Sequence, residues 1–307
     1  MKRIGTLPSA FAALAAFLAA FLAALLVLAA PAQAQELTGT LAKARATGTI
    51  ALGYRESSVP FSYLNARKEP IGYSIELCRA LVTAIEDAVN RSLAIQWVSV
   101  TSDSRIDAVA SGKVDLECGS TTNNLERQKR VAFSPTMFVS GTKVLVKKGS
   151  PIKSFRDLAG KKVAVTAGTT NEKTLRELSQ KFKLGINLLV TPDHAESFGL
   201  VKSGRADAFA TDDVLLYGLI AQDAAKADYE VVGDFLSYDP YGIMYRKDDA
   251  QLNKVVVDTF QVLAEDGEIE RQYKRWFLRK LPTGESINLP MSAQLETIIQ
   301  TMSVKAE

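Results

Sequence analysis

Two stretches far apart in this chain follow the same plan. VTSDSRIDAVASGKVDLECGS covers 100–120, and VTPDHAESFGLVKSGRADAFATD covers 190–212. Each runs Val-Thr-x-Asp, a helical stretch, Ser-Gly-basic-x-Asp, a strand, and then a polar residue. Gly112 and Gly204 fit the left-handed position that closes a helix. Nine residues beyond Ser111 stands Ser120, and nine beyond Ser203 stands Asp212. A hydroxyl and a carboxylate thus end equivalent strands of two similar units. Open α/β sheets bind ligands at the carboxyl ends of their strands. The echo therefore predicts two related lobes that face each other, with Ser120 and Asp212 on opposite walls of a cleft. The alternative is a chance likeness of two βα units.

The rest of the chain suits such lobes. Strands are expected at 49–54 (TIALGY), 95–100, 114–118, 161–166, 187–191 and 206–211. Helices are expected at 72–90, 103–111, 171–183 and 193–203, the first carrying Ile75, Leu77, Leu81, Val82, Ile85 and Val89 on one face. Alternation of this kind argues for α/β layers around mainly parallel sheets.

The N-terminus reads differently. Lys2 and Arg3 are followed by no charge until Glu36, and the Ala/Leu/Phe run between them ends in Pro31-Ala32-Gln33-Ala34. That pattern predicts a signal peptide over 1–34, cut after Ala34, and an exported chain; an uncleaved membrane anchor is the alternative. Loss of Lys2 and Arg3 from a formal charge of +3 leaves a nearly neutral chain without basic tracts, which gives no case for nucleic acid. Two cysteines in an exported chain usually pair. A Cys78–Cys118 disulfide is expected, with two buried thiols as the alternative. One histidine and two cysteines leave little for a transition-metal site, and no cofactor is implied.

The stretch GSTTNNLER (119–127) gathers three hydroxyl residues, two amides and an arginine. If a helix starts near Asn123, the hydroxyls sit at its entrance, where unpartnered N–H groups suit an anion or where a hydroxyl simply caps the helix. VAVTAGTTNEKTL (163–175) repeats the arrangement, with Thr169 and Thr170 where Thr121 and Thr122 stand. Around the expected cleft, Arg55, Arg105, Arg127 and His194 face an acid at Asp212, with Asp213 beside it. More cations than anions imply a ligand with surplus negative charge. An acidic α-amino acid fits, since arginine matches carboxylates with a fork of two N–H groups. The plain alternative for any one arginine is a solvated surface residue.

ALGYRESSVPFSY, VTSDSRI, DLECGSTTNNLERQKRVAFS, TAGTTNE, DHAESF, SGRADAFATDD and YGIMYRKDD resemble the exported glutamate/aspartate-binding proteins of Gram-negative bacteria, over about residues 41–280. The resemblance implies the two-lobed type II periplasmic binding-protein fold with two crossover hinges. Lobe 1 would hold 38–140 plus 237–280, lobe 2 would hold 141–236, and 281–307 would form a tail packed on lobe 1. It implies a periplasmic monomer that carries glutamate or aspartate to the permease subunits of an ABC importer. Arg127, Ser120 and Thr122 resemble the set that holds the α-carboxylate. Asp212, helped by Ser120 and Thr170, resembles the acid on the α-ammonium. Arg55, Ser102, Arg105 and His194 resemble the group on the side-chain carboxylate, with His194 expected to act in its protonated form.

Some relatives carry a cysteine in the segment that reads YGIMY here, so the disulfide is expected to be wired differently. The competing reading is a dehydratase-like enzyme on the same fold. The absence of a G-x-S-x-G nucleophile elbow and the surplus of cations speak for holding rather than turnover.

Overall fold

The computed structural model describes residues 36–304. The expected signal peptide and its cleavage site lie outside the described residues.

Two five-stranded sheets organise the chain. In the first, Ala94–Ser99, Thr49–Tyr54 and Leu116–Glu117 run parallel, and Met244–Arg246 and Val131–Phe133 complete the sheet, with Met244–Arg246 antiparallel to both its neighbours. In the second, Asn187–Thr191, Lys162–Thr166 and Ala208–Asp212 run parallel, and Thr142–Lys147 lies antiparallel between Ala208–Asp212 and Tyr229–Val232. The two orders are equivalent. The echoing segments occupy matching places, each leaving an edge strand, forming a helix (Arg105–Ala110 or His194–Lys202) and returning as the central strand.

The repeated details have physical reasons. Gly112 (φ 76°) and Gly204 (φ 72°) take the left-handed conformation just after the two helices. Asp115 and Asp207 pin the central strand to its neighbour in the same way. The carboxylate of Asp115 accepts from the Ala51 amide at 2.9 Å, and that of Asp207 from the Lys162 amide at 2.8 Å.

Burial follows each element's period. In the second sheet Val144, Val146, Val163, Val165, Ala208 and Ala210 pack on one face with Leu175. Leu145, Ala164 and Phe209 pack on the other with Phe198, Leu216 and Leu219. Helices therefore cover both faces, as parallel strands require. In the first lobe the helix Tyr73–Val89 buries Ile75, Leu77, Cys78, Leu81, Val82, Ile85 and Val89, and Asn90 closes it with φ 50°. Cys78 on this helix is bridged to Cys118 at the end of the central strand, with Cα atoms 6.1 Å apart.

The chain crosses between the sheets through two short strands, Phe138–Ser140 and Asp239–Tyr241, which pair antiparallel. An aromatic cluster supports this crossing: Phe138 stacks on Phe277 (4.9 Å) and Tyr273 (6.0 Å), and Phe61 meets Tyr241 edge-on at 5.1 Å. Beyond the cluster the tail runs to the helix Ala293–Ser303, which buries Leu295 and Ile299. On the way it touches the far lobe: Gln222 donates to Thr283, and the Glu285 amide donates to the Ala221 carbonyl at 3.1 Å.

One local expectation is corrected. The helix expected from Asn123 onward is a single turn, Leu125–Gln128, and its cap is Asn124, which accepts from the Arg127 amide at 2.9 Å. The hydroxyls of Ser120, Thr121 and Thr122 lie before that cap; Thr121 donates to Glu117 and Thr122 to Asp239 instead. Thr169, in contrast, caps the helix Thr170–Lys181 by accepting from the Glu172 amide at 3.1 Å.

Candidate functional site

Six parallel strands deliver their carboxyl ends to one place. Arg55 follows Thr49–Tyr54. Ser102 and Arg105 follow Ala94–Ser99. Ser120 and Thr122 follow Leu116–Glu117. From the other lobe, Thr170 follows Lys162–Thr166, His194 follows Asn187–Thr191, and Asp212 ends Ala208–Asp212. Seven of the residues singled out from the sequence, Ser102, Arg105, Ser120, Thr122, Thr170, His194 and Asp212, line one polar cavity together with Thr169, Asn171 and Leu215. The walls are close, and the enclosed volume is about 10 Å³. A larger groove of about 600 Å³ lies at Phe198, Lys202 and Asp223, but its charges are already paired, Lys202 with Asp223.

The cavity and its surroundings hold unusual polar atoms. Arg55 is 0% exposed, and none of its three guanidinium nitrogens has a hydrogen-bond partner. Its nearest carboxylate is Asp193, 4.0 Å away. Burial and the like charge of Arg105 lower its pKa to about 10, so it stays a cation at neutral pH. Arg105 donates to the Ser120 carbonyl at 3.2 Å, while its Nε is buried and unpartnered. The hydroxyls of Ser102 and Ser120 are also buried without partners. Buried polar groups are normally satisfied. A convergent set of unsatisfied donors marks a place where an anion would complete the network.

Arg127 and Arg55 are the two predicted residues that stand outside the cavity lining. Arg127 donates to the carbonyl of Thr122 at 2.8 Å and, across the lobes, to that of Gly168 at 3.3 Å. Burial and Arg105 depress its pKa to about 9.

The ring of His194 is 1% exposed. Burial, Arg55 and Arg105 hold its pKa well below the usual range, so the imidazole is neutral. This opposes the protonated form expected for the complex, which a ligand carboxylate would favour. Nδ1 of His194 lies 2.8 Å from the hydroxyl of Thr166, which stands 3.1 Å from that of Ser197.

Asp212 is buried, and its carboxyl is pushed up to about 7, first by burial and then by the charge of Asp239. It accepts from Asn171 Nδ2 at 2.7 Å and from the Tyr241 hydroxyl.

Several residues at the site escaped the sequence reading. Glu117, 0% exposed, accepts from Thr121 at 2.6 Å and counters the charges of Arg55 and Arg105. Asp239, on the second crossover strand, accepts from Thr122 at 3.0 Å and from Thr170 at 2.8 Å. Ser57 in one lobe donates to Asp193 in the other. Glu117 lies inside the quoted DLECGSTTNN, and a second acid after Asp115 in a central strand was the available signal. Asn171 and Tyr241 left no comparable mark.

The pattern of the bacterial extracellular solute-binding proteins, family 3, matches residues 50–279. The chain is 46% identical over 283 residues to the L-glutamate/L-aspartate-binding protein of Pseudomonas aeruginosa, a match covering 91% of this chain and 94% of that one. It is 40% identical over 269 residues to the glutamate/aspartate import solute-binding protein of Escherichia coli, covering 87% and 89%. Among solved structures, an ancestral arginine-binding protein bound to arginine is similar, with a TM-score of 0.68, 30% identity, and coverage of 75% of this chain and 98% of that one. All three are binding proteins, and the dehydratase reading is not favoured.

Proposed function

The chain belongs to the bacterial extracellular solute-binding proteins, family 3, and on that premise we propose that it captures L-glutamate or L-aspartate between its lobes and delivers it to the permease subunits of an ABC importer. The observation that carries this reading is Arg55, a fully buried cation with three unpartnered nitrogens, standing beside Arg105 with its own unpartnered Nε. An α-amino acid with a second carboxylate supplies the missing charge and acceptors. The names of the Pseudomonas aeruginosa and Escherichia coli relatives support the same ligand class.

In this reading Arg55, Ser102, Arg105 and His194 hold the side-chain carboxylate. Arg127 and Ser120, with Thr122, serve the α-carboxylate, while Asp212 with Thr170 serves the ammonium. The lobes are 38–140 plus 237–280 and 141–236, with 281–307 as the tail. The sheet memberships and the two paired crossover strands support these boundaries. The protein works as a periplasmic monomer after export. A cavity of about 10 Å³ admits an amino acid only when its walls move apart, so capture involves hinge motion at the crossovers.

Calorimetry of the purified protein with glutamate, aspartate, glutamine and asparagine tests the reading. The acidic pair should bind at least about a hundredfold more tightly than the amides, because an amide leaves a buried cation unpaired. Equal affinity for glutamate and glutamine would overturn it.

A further inference from the structure

We propose that Asp239 fixes the direction of two hydroxyls in the cleft, making Thr122 and Thr170 acceptors for a ligand ammonium rather than donors to a ligand carboxylate. The inference rests on the proposed amino-acid site and reassigns one residue within it. Asp239 is a positioning residue. The cavity lining includes both threonines but not Asp239, which stands behind them on the crossover strand Asp239–Tyr241.

A threonine hydroxyl has one proton and two lone pairs, whereas a carboxylate only accepts. Oδ1 of Asp239 lies 3.0 Å from the hydroxyl of Thr122 and 2.8 Å from that of Thr170. Its other oxygen accepts from Ser237. The two threonine oxygens are 3.3 Å apart. Both threonine protons are therefore spent on Asp239 or between the threonines themselves, and what each hydroxyl can offer the cavity is a lone pair. Lone pairs repel a carboxylate and attract N–H groups. Asp212, which also lines the cavity, already receives donors from Asn171 and Tyr241, so a ligand ammonium gains its remaining acceptors from Thr122 and Thr170. Thr122 shares a lobe with Asp239 and Thr170 comes from the other, so Asp239 sets both polarities at once only where the lobes meet.

The test compares L-glutamate with glutarate, the same dicarboxylate without the ammonium, on the full chain; glutarate is read by competition against glutamate. Asp239→Ala frees both protons. It should lower the glutamate-to-glutarate affinity ratio by about tenfold or more, the size of a lost hydrogen bond to a charged group, while glutarate binding holds or improves. Asp239→Asn removes the charge but keeps a side-chain oxygen facing the threonines and turns its amide to Ser237, so its ratio should stay within about threefold of the wild type. An Asp239→Ala protein that loses both ligands equally has lost only structure, and the proposal fails. An Asp239→Asn protein that falls as far as Asp239→Ala assigns the effect to charge and also overturns it. Wild-type protein that binds neither ligand refutes the amino-acid site itself, and the role of Asp239 with it; normal glutamate binding with an unchanged ratio refutes the role of Asp239 alone.

Discussion

Asp212 and His194 carry opposite consequences for pH. An ammonium needs the carboxylate form of Asp212, and burial raises that carboxyl to about 7. As pH falls through about 7 the group takes up a proton and the ammonium loses its partner, so affinity should fall. Above that range affinity should level off. His194, held neutral by burial, Arg55 and Arg105, adds no loss as pH rises. Calorimetry between about pH 5.5 and 8 should thus show binding that strengthens with pH. A profile that weakens across this range would mean that His194 titrates after all.

The same carboxyl makes a stability prediction. Its folded pKa lies above the usual 3.8, so the fold disfavours the ionised form, and stability is lost as pH rises from the ordinary carboxylate range through about 7. Asp212→Asn should therefore stabilise the unliganded protein at pH 8 by an amount of order 2–4 kcal/mol, read as a higher melting temperature, while abolishing amino-acid binding. An Asp212→Asn protein that melts below the wild type at pH 8 would contradict this.

At the scale of elements, the bridge between Cys78 and Cys118 ties the helix Tyr73–Val89 to the strand end that leads into Ser120. Its ends are 40 residues apart. Replacing both cysteines by serine should cost about 3–4 kcal/mol in the loop-closure picture, read as a lower urea midpoint. An unchanged midpoint would show that the bridge contributes nothing.

Elements of this kind were largely legible. The apolar spacing of the first long helix, the left-handed glycines at 112 and 204, and the strand ends at Ser120 and Asp212 all follow from local rules of period and turn. The hydroxyl run stands at the entrance of an expected helix because a polar cluster before an apparent helix looks like its start. The helix is one turn long, and Asn124 caps it. Asp239 was invisible for another reason. Its hydroxyl partners lie 117 and 69 residues away in sequence, and nothing local in DPY distinguishes an exposed hinge acid from a buried one. Only the folded chain brings that carboxylate to Thr122, and only the meeting of the two lobes brings it to Thr170. Tyr241 and Asn171 were missed likewise, since their partner Asp212 comes from a distant strand.

On the scale of the whole molecule, the lobes approach so closely that one position leaves no room for a methyl group. Gly218, in the helix Asp213–Gln222, would place an added Cβ 2.2 Å from the Val59 carbonyl oxygen in the opposite lobe. Alanine favours the helix itself by about 1 kcal/mol, so the penalty of Gly218→Ala falls on the approach of the lobes rather than on the helix. The substitution should weaken glutamate binding by about tenfold or more, although Gly218 does not line the cavity, because the lobes can no longer meet. Small-angle scattering should show less compaction on adding glutamate than in wild type. Normal affinity in Gly218→Ala would mean that this approach is not needed for binding.

The tail brings time into the account. Its closing helix rests on one lobe, while Thr283 and Glu285 hold Gln222 and Ala221 at the end of a helix in the other. Each time the cleft opens, these bonds must break or the tail must stretch with it. They act on the barrier to opening without touching the cavity. On the proposed hinge motion the tail would act as a drag on release, a strap on the outside of the molecule that sets in part how long a captured solute stays bound.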